Sequence, residues 1–413
     1  MRLIYTVAAY LLMPWALLHL VLRARRQPEY LCCIGERFGF YPVQPEAAVI
    51  WIHAVSVGET RAAEPLVKVL RQRHPDRRIV LTHMTPTGRA TAQALFGQTV
   101  ESRYLPYDLP GAVRRFLRHF RPGIGIVLET ELWPNLIHAC ARGGVPVHLV
   151  NARLSERSAS RYRRFRALTA PMLAALSGIG AQTQRDAERL RSIGARSVVV
   201  TGNVKFDRSP PEEQLRLGAH LRELFGVNRS VLLAASTREG EEALLLDALP
   251  VVSRADVLIV LVPRHPQRFD EVAGLLKARD LAFQRRSENR AIRPDTLVAL
   301  GDSMGEMFAY YAACDVALVC GSLLPLGGQN LLEACAIGKP VIVGPHTFNF
   351  EEATEGAIEA GAALRAADAR QALRVARELL DNPSRAKIMG EAGLRFTEAH
   401  RGATQRTLAL LGL

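Results

Sequence analysis

The chain has 413 residues, 48% of them hydrophobic and 23% charged, with a formal net charge of +13. That length is more than one ordinary core fills and points to two domains. A multi-span transporter is excluded, because only one apolar run of about 20 residues is present, and the mean hydropathy of +0.04 suits a globular protein with some membrane involvement. The positive charge calls for an acidic partner. Aromatics are only 6% and do not interleave with basic segments as a base-stacking surface requires. An anionic membrane surface and an anionic substrate therefore fit better than nucleic acid.

The apolar run extends from Leu3 to Leu22 and is followed by Arg23, Arg25 and Arg26, against a single Arg2 in front of it. It is long enough to cross a bilayer, and the positive-inside rule then places everything after it in the cytosol. A half-inserted amphipathic anchor is the alternative. A cleaved signal peptide fits less well, since the run is longer than a signal core and no small-x-small site follows. The six cysteines, Cys32, Cys33, Cys140, Cys314, Cys320 and Cys335, form no CxxC pair, and reduced thiols in a cytosolic protein are expected.

Beyond residue 45 short apolar runs alternate with amphipathic stretches. The runs are 49–55, 78–85, 125–129, 145–151, 179–183 and 197–202, with helical patterns such as 62–73 and 185–193 between them. A linker is expected at about 204–229, with Pro210, Pro211 and a charged helix-like stretch, before the pattern resumes at 231–235, 257–262, 296–300, 316–320 and 340–343. Continuous apolar runs alternating with helices read as buried parallel strands in doubly wound sheets. The expected architecture is α/β: a membrane-anchor helix over 1–26, one Rossmann-like domain over 27–205 and another over 206–413. Such sheets bind ligands outside their strand carboxyl ends, but the architecture hosts many chemistries.

Several polar segments leave these strands directly. In His53-Ala-Val-Ser-Val-Gly-Glu59, Glu59 opens a helix, where it can serve as a general base or merely complement the helix dipole. Glu129-Thr-Glu131-Leu-Trp-Pro-Asn135 repeats the design, with Glu129 closing a strand and Glu131 in the turn beyond. Lys205, after Gly202-Asn-Val, can offset charge on a phosphate leaving group, or be a solvated edge lysine. In the second half, residues 235–240 form a small polar turn suited to an anion, and Pro263-Arg264-His265 supplies a clamp for phosphate or carboxylate. Met304-Gly305-Glu306 follows another strand. A Gly327-Gly328 loop leads to Asn330-Leu331-Leu332-Glu333, where backbone can approach a phosphate and Glu333 can accept from a ribose diol. None of these is a Walker A loop or a GxGxxG fingerprint. No Asp-x-Asp metal motif occurs, so a nucleotide-sugar donor without obligatory metal is the better reading.

Taken together and in this order, these blocks closely resemble the Kdo (3-deoxy-D-manno-octulosonic acid) transferases of lipopolysaccharide assembly. The resemblance spans essentially the whole chain and includes Gly35-Glu-Arg-Phe-Gly39, Tyr104-Leu-Pro-Tyr-Asp-Leu-Pro110, Asn151-Ala-Arg-Leu-Ser155 and Gly344-Pro-His-Thr-Phe-Asn-Phe350. It implies a GT-B fold, with an acceptor domain followed by a CMP-Kdo-binding domain. It also implies an inverting transfer of Kdo from CMP-Kdo to a lipid A precursor at the cytoplasmic side of the inner membrane. It assigns Glu59 as general base, and Glu129 and Lys205 to transition-state stabilisation. Pro263, Arg264, Met304, Gly305, Glu306, Asn330, Leu331, Leu332 and Glu333 match the CMP-binding segments, and Glu36 is a weaker catalytic candidate, with a structural role near the anchor as the alternative. The chain departs from the pattern at Gln329, Ser303 and Cys335, which puts any imidazole role at 329 in doubt. Rival readings on the same scaffold are a UDP-sugar transferase, a UDP-GlcNAc 2-epimerase relative, and a non-catalytic binder of acidic lipid or nucleotide. A soluble epimerase needs no anchor, and Glu59, Glu129 and Arg264 together argue for catalysis.

Overall fold

The computed structural model describes residues 1–25, 27–42, 48–207, 209–252, 254 and 256–413. Arg26, one of the basic residues expected behind the apolar run, lies outside them. The chain forms two compact units, residues 1–207 with 401–413, and residues 208–400.

The first unit is built on a seven-stranded sheet in the order β3-β2-β1-β4-β5-β6-β7. Its strands are β1 (Ile50–His53), β2 (Ile79–His83), β3 (Glu101–Tyr104), β4 (Ile124–Leu128), β5 (Val147–Ala152), β6 (Gly178–Ala181) and β7 (Val198–Val200). The second unit holds β8 (Ser230–Thr237), β9 (Val257–Pro263), β10 (Phe283–Arg285), β11 (Val298–Leu300), β12 (Val316–Val319), β13 (Val341–Val343) and β14 (Ala363–Arg365). They pair in the order β10-β11-β9-β8-β12-β13-β14. All pairings are parallel, so helices must cover both faces and the central strands are predominantly apolar. The order reverses between β1 and β4 in one sheet and between β8 and β12 in the other, the positions where doubly wound sheets bind ligands.

Trp51 anchors the first core: it is fully buried, donates from its indole to Thr82 Oγ1 at 2.8 Å, and lies over Gly125, where a Cβ would come within 2.8 Å of its ring. Glu36 is structural here. Its buried carboxylate accepts from the Tyr104 N–H at 2.8 Å and pairs with Arg89 at 3.1 Å and Arg103 at 3.3 Å.

The charged helix-like stretch expected between the two domains is the helix Glu212–Phe225, which packs on the helix Met307–Ala313 within the second unit. Gly218 makes this possible, because a Cβ there would lie 2.5 Å from Ala312 Cβ and 2.9 Å from Ala309 O. The second domain, expected to run to residue 413, ends near His400. The helix Ala403–Leu411 belongs to the first unit: Leu408 and Leu411 join its core. Leu410 fills the space left by Gly178 and Gly180, and Arg406 Nε donates to Thr201 O at 2.8 Å.

The apolar run forms the helix Arg2–Ala24, a member of the first unit. Its covered residues recur along its length at Tyr5, Thr6, Ala9, Met13, Ala16, Leu17, Leu20 and Ala24, the spacing of a single helical face.

Gly218→Leu forces side-chain volume into the contact with Ala309 and Ala312. It should cost about 2 kcal/mol and lower the thermal unfolding midpoint by roughly 5 °C, read by circular dichroism on the full chain.

Candidate active site

The carboxyl ends of β1 and β4 carry the first group of candidate residues. After β1 the chain turns through Ala54–Ser56 into the short helix Val57–Ala62, whose N-cap is Ser56. Glu59 reaches back over this turn, accepting from the Val55 N–H at 2.8 Å and from the Ser56 hydroxyl at 3.0 Å, while Ser56 Oγ caps the helix by accepting from the Glu59 N–H. The turn is itself held from β2 and beyond. His83 Nδ1 lies 2.8 Å from Ala54 O, Thr85 Oγ1 donates to Val55 O at 3.1 Å, and Thr60 Oγ1 donates to Ser56 O at 2.8 Å. Burial pushes the His83 imidazole down to about 4, so it is neutral and its Nδ1 proton can serve the carbonyl.

Glu59 is buried, and that burial, reinforced by Glu129 and then by Glu131, pushes its carboxyl up to about 7 despite the two hydrogen bonds it accepts. Glu129 sits immediately after β4 at φ 56°, a left-handed conformation uncommon for a residue with a side chain. Its N–H still pairs with Val150 O, and its Oε1 lies 3.2 Å from Lys205 Nζ. Lys205 is carried on the 3₁₀ turn Val204–Asp207. That turn is fixed by Asn151 Oδ1, which accepts from the Val204 N–H, and by Asn203 Oδ1, which accepts from the Lys205 N–H. Gln182 completes the platform, donating to Asn151 O and accepting from Asn203. Glu131, whose carboxyl burial and Glu129 also push up, lies in the turn beyond. Glu59, Glu129 and Lys205, drawn from three distant segments, thus meet at one end of one sheet, at its switch point.

The second group lies along the carboxyl edge of the other sheet. Pro263 is the buried last residue of β9, and Arg264, half-buried, is tied through its N–H to Thr237 O at 2.9 Å. His265 is exposed, and its imidazole is pushed down first by desolvation and then by Arg238, Arg264 and Arg268, so this corner is strongly cationic. After β11, Met304 is exposed and Gly305 takes φ 82°. Glu306 accepts from Ser303 Oγ at 2.7 Å and pairs with Arg286 at 3.2 Å. After β12, the glycine loop folds onto 344–350, where a Cβ at Gly327 would meet the Asn349 amide at 2.2 Å. Asn330 donates to Glu333 at 3.4 Å. Leu331 and Leu332 are buried, so only their backbone can face a ligand, and Glu333 is nearly so.

Two expectations change in this unit. The helix after the glycine loop is only Leu332–Cys335, too short to supply a dipole for phosphate. The backbone N–H groups of the 235–240 turn are not waiting for an external anion either. Glu241, fully buried, accepts from the N–H groups of Arg238 at 2.9 Å, Gly321 at 2.6 Å and Leu323 at 2.9 Å. Beside it, buried Glu242 accepts from Thr237 and from Arg268, both at 2.7 Å. Sequence reasoning missed Glu241, Glu242, Arg268 and His83. An acidic pair after Gly240 reads as a first-turn complement to the helix dipole, and only tertiary placement reveals a strand-end clasp. Among the described residues, no three His, Cys, Asp or Glu side chains converge as a metal-ligand set.

A family profile described as "3-Deoxy-D-manno-octulosonic-acid transferase (kdotransferase)" matches residues 33–208, and one described as "Glycosyl transferases group 1" matches 243–396. The chain is 48% identical to the 3-deoxy-D-manno-octulosonic acid transferase of Bordetella pertussis, over 99% of its length and 98% of that protein. The chain belongs to the Kdo transferase family. It is a glycosyltransferase. The Haemophilus influenzae family member is 40% identical over 99% of this chain and 98% of its own length. A putative UDP-N-acetylglucosamine 2-epimerase from Listeria monocytogenes shares the fold at 18% identity, with TM-score 0.58, covering 88% of this chain and 96% of that one. The two-sheet GT-B-like fold expected for the family is the one observed.

Glu241→Gln removes one of the two oxygens that hold three N–H groups together. The expected result is a loss of about 2 kcal/mol and faster amide exchange at Gly321 and Leu323, measured by hydrogen–deuterium exchange on the full chain.

Proposed function

We propose that the chain transfers Kdo from CMP-Kdo to the hydroxyl of a lipid A precursor, with inversion at the anomeric carbon. Membership of the Kdo transferase family supports the sugar and the donor. The upward-shifted carboxyl of Glu59 beside the Glu129–Lys205 pair is the observation that carries the mechanism. A base with a pKa near the working pH combines a useful ionised fraction with enough basicity to take a proton.

In the proposed step the acceptor oxygen bonds to the anomeric carbon of Kdo while the bond from that carbon to the CMP phosphate oxygen breaks. Glu59 takes the hydroxyl proton, and the electron pair leaves with CMP. Lys205, oriented by Glu129, offsets negative charge in the transition state. Residues 263–264, 304–306 and 330–333 are assigned to CMP, with Arg264 drawn toward its phosphate. The scheme uses CMP-Kdo as donor and no further cofactor, so turnover should persist in excess EDTA. The helix Arg2–Ala24 is the one described helix long and apolar enough to cross a membrane. With the net positive charge it supports attachment to the anionic inner membrane, with both units on the cytoplasmic side, where the acceptor is made.

The deciding assay combines CMP-Kdo, a tetra-acylated lipid A precursor and the purified full chain, with mass analysis of the lipid. Lipid that gains Kdo supports the proposal; folded enzyme that leaves it unchanged rejects it. Activity should rise with pH and reach half its plateau near pH 7, because the base must be ionised and Glu59 titrates at about 7. Glu59→Gln should lower kcat/KM by roughly 100- to 10,000-fold and abolish that limb. Lys205→Ala should lower kcat by about 100-fold or more while leaving CMP binding, measured by calorimetry, unchanged.

A further inference from the structure

We infer that the helix Arg2–Ala24 is an in-plane anchor, lying within one face of the bilayer along the side of the first unit instead of crossing it. The inference rests on the membrane attachment proposed above and adds the manner of it.

The first turn of the helix is tied to the globular part of the first unit. Thr6 Oγ1 lies 3.0 Å from Asn135 Oδ1, and the Tyr5 hydroxyl hydrogen-bonds Asp108. Asp108 and Asn135 are buried and joined to one another: the Asp108 carboxylate accepts from the N–H groups of Asn135 and Leu136, at 2.9 and 2.8 Å. At the far end Leu20 and Ala24 are buried, and the helix packs on Pro28–Leu31, the turn through which the chain runs directly into the first unit. Thr6 and Ala24 are separated by roughly 27 Å at 1.5 Å per residue, nearly the thickness of a hydrocarbon core. A helix standing upright in a bilayer would carry Tyr5 and Thr6 to the side opposite Asp108 and Asn135. The contacts of the first turn at one end, and the chain's continuation into the unit at the other, require it to lie flat.

What the docked helix shows to its surroundings is the more apolar side. Alanines 9, 16 and 24 face the unit, whereas Leu3, Leu11 and Trp15 are exposed at 77%, 76% and 65%. The occupant that fits a 23-residue apolar ridge is the acyl boundary of a lipid leaflet, where in-plane helices bury one face to a depth of about 5–10 Å. Exposed cations stand at both ends of the ridge, Arg2 at one and Arg23 and Arg25 at the other. That suits anionic headgroups on a single face of the membrane.

The test is sidedness in membranes from expressing cells, using the full chain with Cys32→Ser and Cys33→Ser, since the four remaining cysteines are buried. A cysteine at exposed Glu391 (Glu391→Cys) reports the side that carries the globular units. A cysteine at Arg2 (Arg2→Cys) should react with a membrane-impermeant maleimide from that same side. Reaction from the opposite side, or from neither, would overturn the in-plane arrangement while leaving attachment intact. Failure of the protein to float with vesicles of anionic phospholipid would overturn both.

Discussion

The 3.2 Å ion pair between Lys205 and Glu129 is the constraint around which the first unit's chemistry is arranged. Three carboxylates, those of Glu59, Glu129 and Glu131, crowd the carboxyl end of β1 and β4: Glu129 disfavours ionisation of both Glu59 and Glu131, and Glu131 that of Glu59. The ammonium compensates one of them directly. Burial and the charge of Glu129 together hold the Glu59 carboxyl at about 7, in the range where it can both release and recapture a proton. The platform of Asn151, Gln182 and Asn203 beneath Lys205 therefore matters as much as the charged groups it supports.

The second unit solves a related problem in the opposite way. Its strand ends gather backbone N–H groups that could attract any anion, and the chain supplies its own in Glu241. The clasp locks the exits of β8 and β12 together at the switch point. In the proposed scheme a side-chain cation, Arg264, and not bare backbone is then what meets the phosphate. A guanidinium at the end of a rigid strand is a more selective partner, because it presents fixed, planar donors.

Much of this was readable from the residues alone. The central strands were evident because parallel strands covered on both faces are apolar without interruption, as in β1, β9 and β12. The strands that escaped notice were β3, β10 and β14, all at sheet edges. An edge strand needs apolar residues only where a neighbour covers it, and Glu-Ser-Arg-Tyr in β3 is half-exposed over most of its length. Strand-end polar residues such as Glu59, Glu129 and Lys205 stood out because doubly wound sheets place ligands there. The supporting groups did not, since a histidine like His83 or an acid like Glu241 acquires its role from a partner more than 20 residues away. Periodicity carries no information about such partners.

The return of residues 401–413 to the first unit has a consequence for how the molecule comes into being. The second unit is threaded into the chain of the first, which stays incomplete until nearly every residue has left the ribosome. Until then Gly178 and Gly180 of β6 face an empty slot where Leu410 will lie, and the Asp207 carboxylate awaits the N–H groups of Gly402 and Thr404. The first unit therefore cannot be completed before the whole of the second has been made, a departure from the N-terminal-first order usual in two-domain proteins.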